Sequence, residues 1–308
     1  MQELRERAEL DAHTWRARAE AHAARVDRYT APHLDRRRGH EKHPVIDFLF
    51  TYYNHRPAAL RRWHPGFGVT LQDAEEYSEV HGYGVENGRA TVAPEMLAKR
   101  EPLLRQTSDL LKATLERQPS FGCFGLHEWA MVYQIEPSDI RHAAWPLRLG
   151  SEGTDDVVRT HRIACSHFDA FRVFTEPARP LNTLRPGRDD RVAFEQPGCL
   201  HANMDLYGKV AVRMSPLIPS ELVMDAFELA WDARVIDMCA APYDLTGLAI
   251  DPEGTPWTPI RIETAEGKAE YAALQREISE RATPIRRALL AECELLSEAA
   301  LAASSGST

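Results

Sequence analysis

The sequence predicts a mainly α protein: a single helical domain over residues 1–303 with at most a small β-hairpin, and a frayed C-terminal tail at 304–308. Three observations predict it. The stretch from Pro94 to about Arg117 places Met96, Leu97, Leu103, Leu104, Leu110, Leu111 and Leu115 on or near one helical stripe. Pro94 and Pro219 stand at the starts of long apolar segments, where a missing N–H costs a helix nothing. Asn87-Gly88 divides Val85 to Val92 in the manner of a tight two-residue hairpin.

The elements follow in order. Residues 2–28 are rich in Ala, Glu and Arg with sparse apolar positions, which predicts a peripheral helix. A loop carrying Pro32, Arg36-Arg37-Arg38 and Pro44 is expected next, then a core segment, VIDFLFTYY at 45–53, of either helix or strand. Pro57 opens a short helix ending at Trp63, and Pro65-Gly66-Phe67-Gly68 forms a turn. Asp73 to Val80 reads as helix, before the hairpin and the Pro94 helix. LHEWAMVYQ, from Leu126, is a buried helix by composition, and a further helix starts at Ser166 with Asp169 as its capping acid. Residues 201–214 are helical, as are Pro219 to about Cys239. A Pro-rich loop over 242–259 precedes a last helix, 265–301, kinked near Pro284.

Composition narrows the class. With 44% hydrophobic and 27% charged residues, the chain is an ordinary globular one rather than a disordered one. A polar, charged start and the lack of a long apolar run point to a cytoplasmic protein with no membrane partner. Lys plus Arg number 37 against 46 Asp plus Glu, a net charge of -9, which speaks against a nucleic-acid surface. Five cysteines without a CxxC pair read as reduced, buried thiols rather than a disulfide framework or zinc ribbon. No GxSxG, P-loop or GxGxxG motif is present, and His127-Glu128 does not continue into HExxH. Oligomerisation with further copies of the chain stays open.

Chemistry concentrates in the histidines. Six lie in the middle of the chain: His81, His127, His142, His161, His167 and His201. Three stand in or at the start of hydrophobic helices beside acids: His127 with Glu128, His167 with Asp169, and His201 with Asp205 one turn on. Polar groups in apolar segments are costly unless paired or liganded, so these point to one metal-bearing or acid–base site. His201 is the expected metal ligand, with Asp205 orienting it and Gly208, one turn further, leaving room for a flat ring. His127, His167 and Glu128 are the expected catalytic residues, as proton donors or further ligands. The expected cofactor is iron, as haem b or as a non-haem centre. The expected partners are a small aromatic substrate and oxygen or peroxide.

Two resemblances bear on this. The segments HPVIDFLFTYY, LRRWHPGFG, FGCFGLHEWAMVY, CSHFDAF, EQPGCLHANMDLY, SELVMDAFELA and PYDL, spanning 43 to 245, resemble a bacterial family often labelled 3-methyladenine DNA glycosylase. That likeness implies hydrolysis of an N-glycosidic bond in alkylated DNA, with aromatic residues such as Trp129 and Tyr133 stacking the base. Within it, HPGFG at 64–68 resembles the turn of helix-hairpin-helix glycosylases, which implies a helix on either side. At the level of class, an all-helical, acidic chain with a helix-borne histidine is similar to histidine-ligated haem-dependent aromatic oxygenases, including bacterial tyrosine hydroxylases. Three functions therefore stand: iron-dependent oxygenase, purine N-glycosidase, and non-catalytic helical interaction protein.

Overall fold

Burial of a continuous apolar core organises the chain around one helix that is hydrophobic on nearly every side. The computed structural model describes residues 8–135 and 145–305, so His142 lies outside the described residues. The chain opens with β1 (Ala8–Leu10) and α1 (Ala12–Arg38), capped by the Asp11 side chain accepting from Thr14 N–H. Short helices α2 (Asp47–Tyr52) and α3 (Pro57–Arg61) follow. Next come β2 (Val69–Leu71), a 3₁₀ turn (Glu75–Glu79), β3 (Tyr83–Glu86) and β4 (Arg89–Val92). The long α4 (Pro94–Glu116) leads to α5 (Leu126–Ala130), α6 (Gly150–Thr160), α7 (Phe168–Phe171) and α8 (Arg191–Phe194). Then α9 (Leu200–Asp205) runs through a π-helical segment (Leu206–Ala211) into α10 (Val212–Met214). Finally come α11 (Ser220–Cys239) and α12 (Ala265–Ser305).

Mainly α is therefore the class, with 58% of the described residues helical. The sheet exceeds the expected hairpin. The Asn87-Gly88 hairpin forms as read, Glu86 opposite Arg89, with both turn residues at positive φ, 51° and 77°. It is widened by β2 and then by β1 pairing parallel to β2, giving the order β1-β2-β4-β3. Strands of three residues are too short to show an alternation, which is why the sequence concealed them. Other differences are local. Helix α1 continues through Pro32 to Arg38 where a loop was expected, and α12 runs through Pro284. The segment Glu75–Glu79 is a 3₁₀ turn, and LHEWAMVYQ yields only the short α5. At α7 no side-chain cap forms, because Asp169 turns to Lys209 and Arg172 instead. After HPGFG the chain enters β2, not a second helix, so the helix-hairpin-helix expectation fails.

Helix α11 is central. It carries buried Val223, Phe227, Trp231 and Met238 toward the main core, and it packs against α9, the π segment and α12. Helix α4 packs along α12 from outside, burying the expected leucine stripe at Leu97, Leu104 and Leu111. A satellite core of Trp15, Trp63, Leu71 and Tyr77 joins the sheet to α1. The five cysteines are free thiols, and among the described residues no helix is long and apolar enough to cross a membrane.

The satellite core contains a pH-sensitive group. His64 is buried, with Nδ1 3.0 Å from the Tyr83 hydroxyl, and burial lowers its pKa from 6.5 to about 3. The unfolded chain takes up this proton near pH 6.5 and the folded chain only near pH 3, so stability falls as pH falls across that window. His64→Gln should flatten the dependence of unfolding free energy on pH between these limits by up to about 1.4 kcal/mol per pH unit. Urea unfolding at several pH values measures this, and an unchanged slope would contradict the assignment.

Candidate functional site

Four elements meet beside a cavity of about 430 Å³. His127 and Glu128 come from α5, His201 and Asp205 from α9, and Asp237 from the last turn of α11. His167 stands immediately before α7. The structure thus brings the three expected histidines together: the His201 ring lies 4.3 Å from His127, edge to face, and 5.3 Å from His167 between centroids. Of the others, His81 is exposed, and His161 bonds Val157 O at the end of α6.

One group has the form of a metal centre. Single donor atoms of His127, His201 and Asp237 all lie within 4.8 Å of one another. His127 Nε2 and Asp237 Oδ1 form a buried ion pair at 3.0 Å, and neither atom has a further partner. A buried His–Asp pair with a second imidazole beside it has the donor types that a shared cation would take. The other Asp237 oxygen accepts from Arg234 Nη1 at 2.9 Å, and the same Nη1 donates to Glu128 Oε1 at 3.1 Å. Arg234 also lies over the Phe48 ring. Two histidines and a carboxylate are the donor set of non-haem iron(II) oxygenases, and His201 and His127 both line the cavity.

The charge states of Asp237 and His201 suit that role, and His127 has to release a proton to take it up. Burial alone would raise the Asp237 carboxyl, but His127 and Arg234 hold it well below the usual carboxylate range. Burial pushes the His201 imidazole well below its ordinary pKa, helped by repulsion from His127, so it is neutral and free to donate. For His127 burial also pulls downward, and the Asp237 charge outweighs it, leaving the pKa raised.

In the second group the carboxylates are met by side chains of the protein itself, while the buried His167 Nδ1 makes no hydrogen bond. Donor atoms of His167, Glu195 and Asp205 also lie within 4.8 Å of one another. Here, however, Asp205 Oδ2 accepts from His167 Nε2, Arg191 Nη2 and Lys209 Nζ, each at 3.0 Å, while Tyr53 OH donates to Oδ1. Glu195 accepts from Arg191 Nε at 2.5 Å. Two cations already neutralise these carboxylates, so the cluster braces α9 against α7 and α8.

Several expected roles change accordingly. Asp205 does not pair with His201. His167, Arg191, Lys209 and Tyr53 take the carboxylate instead. Glu128 diverges from His127, as adjacent helical positions must, and acts on Asp237 through Arg234. Gly208 gives no room to a flat ring, because a Cβ there would lie 1.8 Å from the Tyr53 ring, which fills that space. A haem needs one or two axial ligands and an open slot, whereas His201 is flanked by two imidazoles and a carboxylate. Asp237, Arg234 and the cavity tyrosine Tyr271 were not singled out from sequence. Their signal was faint: Arg234 and Asp237, three apart, are the charges on the otherwise apolar inner face of α11.

No protein-family model, curated protein or solved structure matches the chain, so the site's own chemistry carries its interpretation.

Two substitutions test this arrangement. Arg234→Met leaves Glu128 and Asp237 buried without their shared cation and should destabilise the fold by about 3–5 kcal/mol in urea unfolding. Gly208→Ala must displace Tyr53 from α9, costing about 1–3 kcal/mol, whereas a platform open to a ligand would tolerate the methyl group.

Proposed function

We propose that the chain is a non-haem iron oxygenase that oxidises a small aromatic substrate, with His127, His201 and Asp237 as the metal-binding set. The observation that carries this reading is the convergence of His127, Asp237 and His201 within 4.8 Å of one another at the cavity wall, the buried His127–Asp237 pair having no further partner on its facing atoms. Ferrous iron, when bound, supplies the one-electron chemistry that activates oxygen and leaves coordination positions open to reactants. The residues do the rest. Arg234 fixes the Asp237 carboxylate in its ionised form, and Glu128 fixes Arg234. The apolar wall at Phe194, Leu184 and Leu200 excludes water and faces an aromatic body. The protonated thiols of Cys165 and Cys199, their pKa values raised by burial, are inert there. With peroxide, one oxygen atom enters a C–H bond and the other leaves as water. With dioxygen, the same insertion draws two electrons and two protons from an organic co-reductant.

Elemental analysis and an absorption spectrum of the purified protein test this. About one iron per chain and no Soret band are expected. His127→Ala, His201→Ala and Asp237→Ala should each lose the iron while retaining helical circular dichroism, and Asp205→Asn should keep it. A Soret band, zinc in place of iron, iron retained by all three alanine variants, or release of 3-methyladenine from alkylated DNA by metal-free protein would overturn the reading.

A further inference from the structure

The same cavity has a charge character that the metal does not explain. Among the described residues lining it there is no Asp or Glu, although the chain carries 46 acids against 37 bases. Two arginines do line it, Arg117 and Arg162. Arg117 lies at the end of α4 and donates to the backbone carbonyls of Glu195 and Val192, so its charge meets no carboxylate. Arg162 follows α6 and has no hydrogen bond or ion pair among the described residues. Its backbone is nonetheless fixed. Ile163 bridges to Asn182, and the buried Asn182 side chain bonds both the N–H and the carbonyl of Cys165, at 2.7 and 2.9 Å. Deeper in the cavity, the Tyr271 hydroxyl is buried and has no hydrogen-bond partner. Burial raises its pKa, so it stays a donor.

An acid-free cavity in an acidic protein draws anions by its field, and a free guanidinium matches a planar carboxylate through two parallel N–H···O bonds. From these features, and resting on the oxygenase reading for what happens next, we infer that the substrate is a small carboxylic acid. Its carboxylate is held by Arg162, its apolar body lies along Phe194, Leu184 and Leu200, and Tyr271 donates to a second oxygen on the substrate. Arg162 sets specificity for the charge, and Tyr271 positions the body.

Calorimetric titration of the purified protein tests this with benzoate, phenylacetate and 3-phenylpropionate, each beside its neutral amide, with iron content measured on the same sample. At least one acid should bind tenfold or more tightly than its amide. Arg162→Gln, a surface change that spares the fold, should remove that preference and leave amide binding unaltered. Tyr271→Phe should weaken both members of a hydroxylated pair, such as 4-hydroxyphenylacetate and its amide. Acids and amides binding alike, no acid binding at all, a preference surviving Arg162→Gln, or inorganic phosphate displacing the acids at equal concentration would each overturn the inference. The iron content reports on the oxygenase reading separately: an acid preference in iron-free protein would uphold this inference while that reading fell.

Discussion

The interior of this protein is arranged around one buried negative charge. Asp237 is fully enclosed on the central helix, and an isolated carboxylate there would cost many kcal/mol relative to water. Arg234, one turn earlier, compensates one of its oxygens, and the cation in turn draws in Glu128 from α5. The other oxygen is turned toward His127 and His201. Placing α5, α9 and α11 in contact is thus an electrostatic requirement as well as an apolar one. Buried polar clusters of this kind are weak sources of stability. A fold that keeps one is accounted for by what the cluster does.

The two clusters around His201 differ in how their charges are met. One offers two histidines and a carboxylate, the other a histidine and two carboxylates, each at metal-binding spacing. Around Asp205 every charge is met by an arginine, a lysine or a tyrosine hydroxyl, which makes a rigid brace. Around Asp237 one oxygen is met by Arg234 and the other only by His127, with His201 beside it. The π-helical segment directly after Asp205 separates the brace from the rest of the helix, and such segments recur at functional sites because they reset the helical phase. Lys209 lies within that segment, reaching back to Asp205 and across to Asp169.

Much of this was legible in the sequence. Helices α4 and α11 began and ended close to where proline starts and apolar spacing put them, and the Asn87-Gly88 hairpin formed with the expected register. His127, His167 and His201 stood out because imidazoles in apolar helices need partners, and the fold gathers all three. The partners were harder to see. Spacing suggested that Asp205 belonged to His201, but partner choice among buried charges is settled by tertiary neighbours over 100 residues away in some cases, as with Glu128 and Arg234. Asp237 was hidden because one acid three residues after an arginine looks like an ordinary surface ion pair. Gly208 misled for the opposite reason. A glycine on a helix face signals close approach, and the approaching group proved to be Tyr53, not a cofactor.

The most direct measurement of the central claim is iron K-edge X-ray absorption on protein holding one equivalent of iron. Ligation by His127, His201 and Asp237 requires a first shell of nitrogen and oxygen alone, with the outer-shell scattering of two imidazoles. Sulfur in the first shell would transfer the metal to the cavity cysteines, and the rigid outer-shell scattering of a porphyrin would restore haem. Either result would contradict the account.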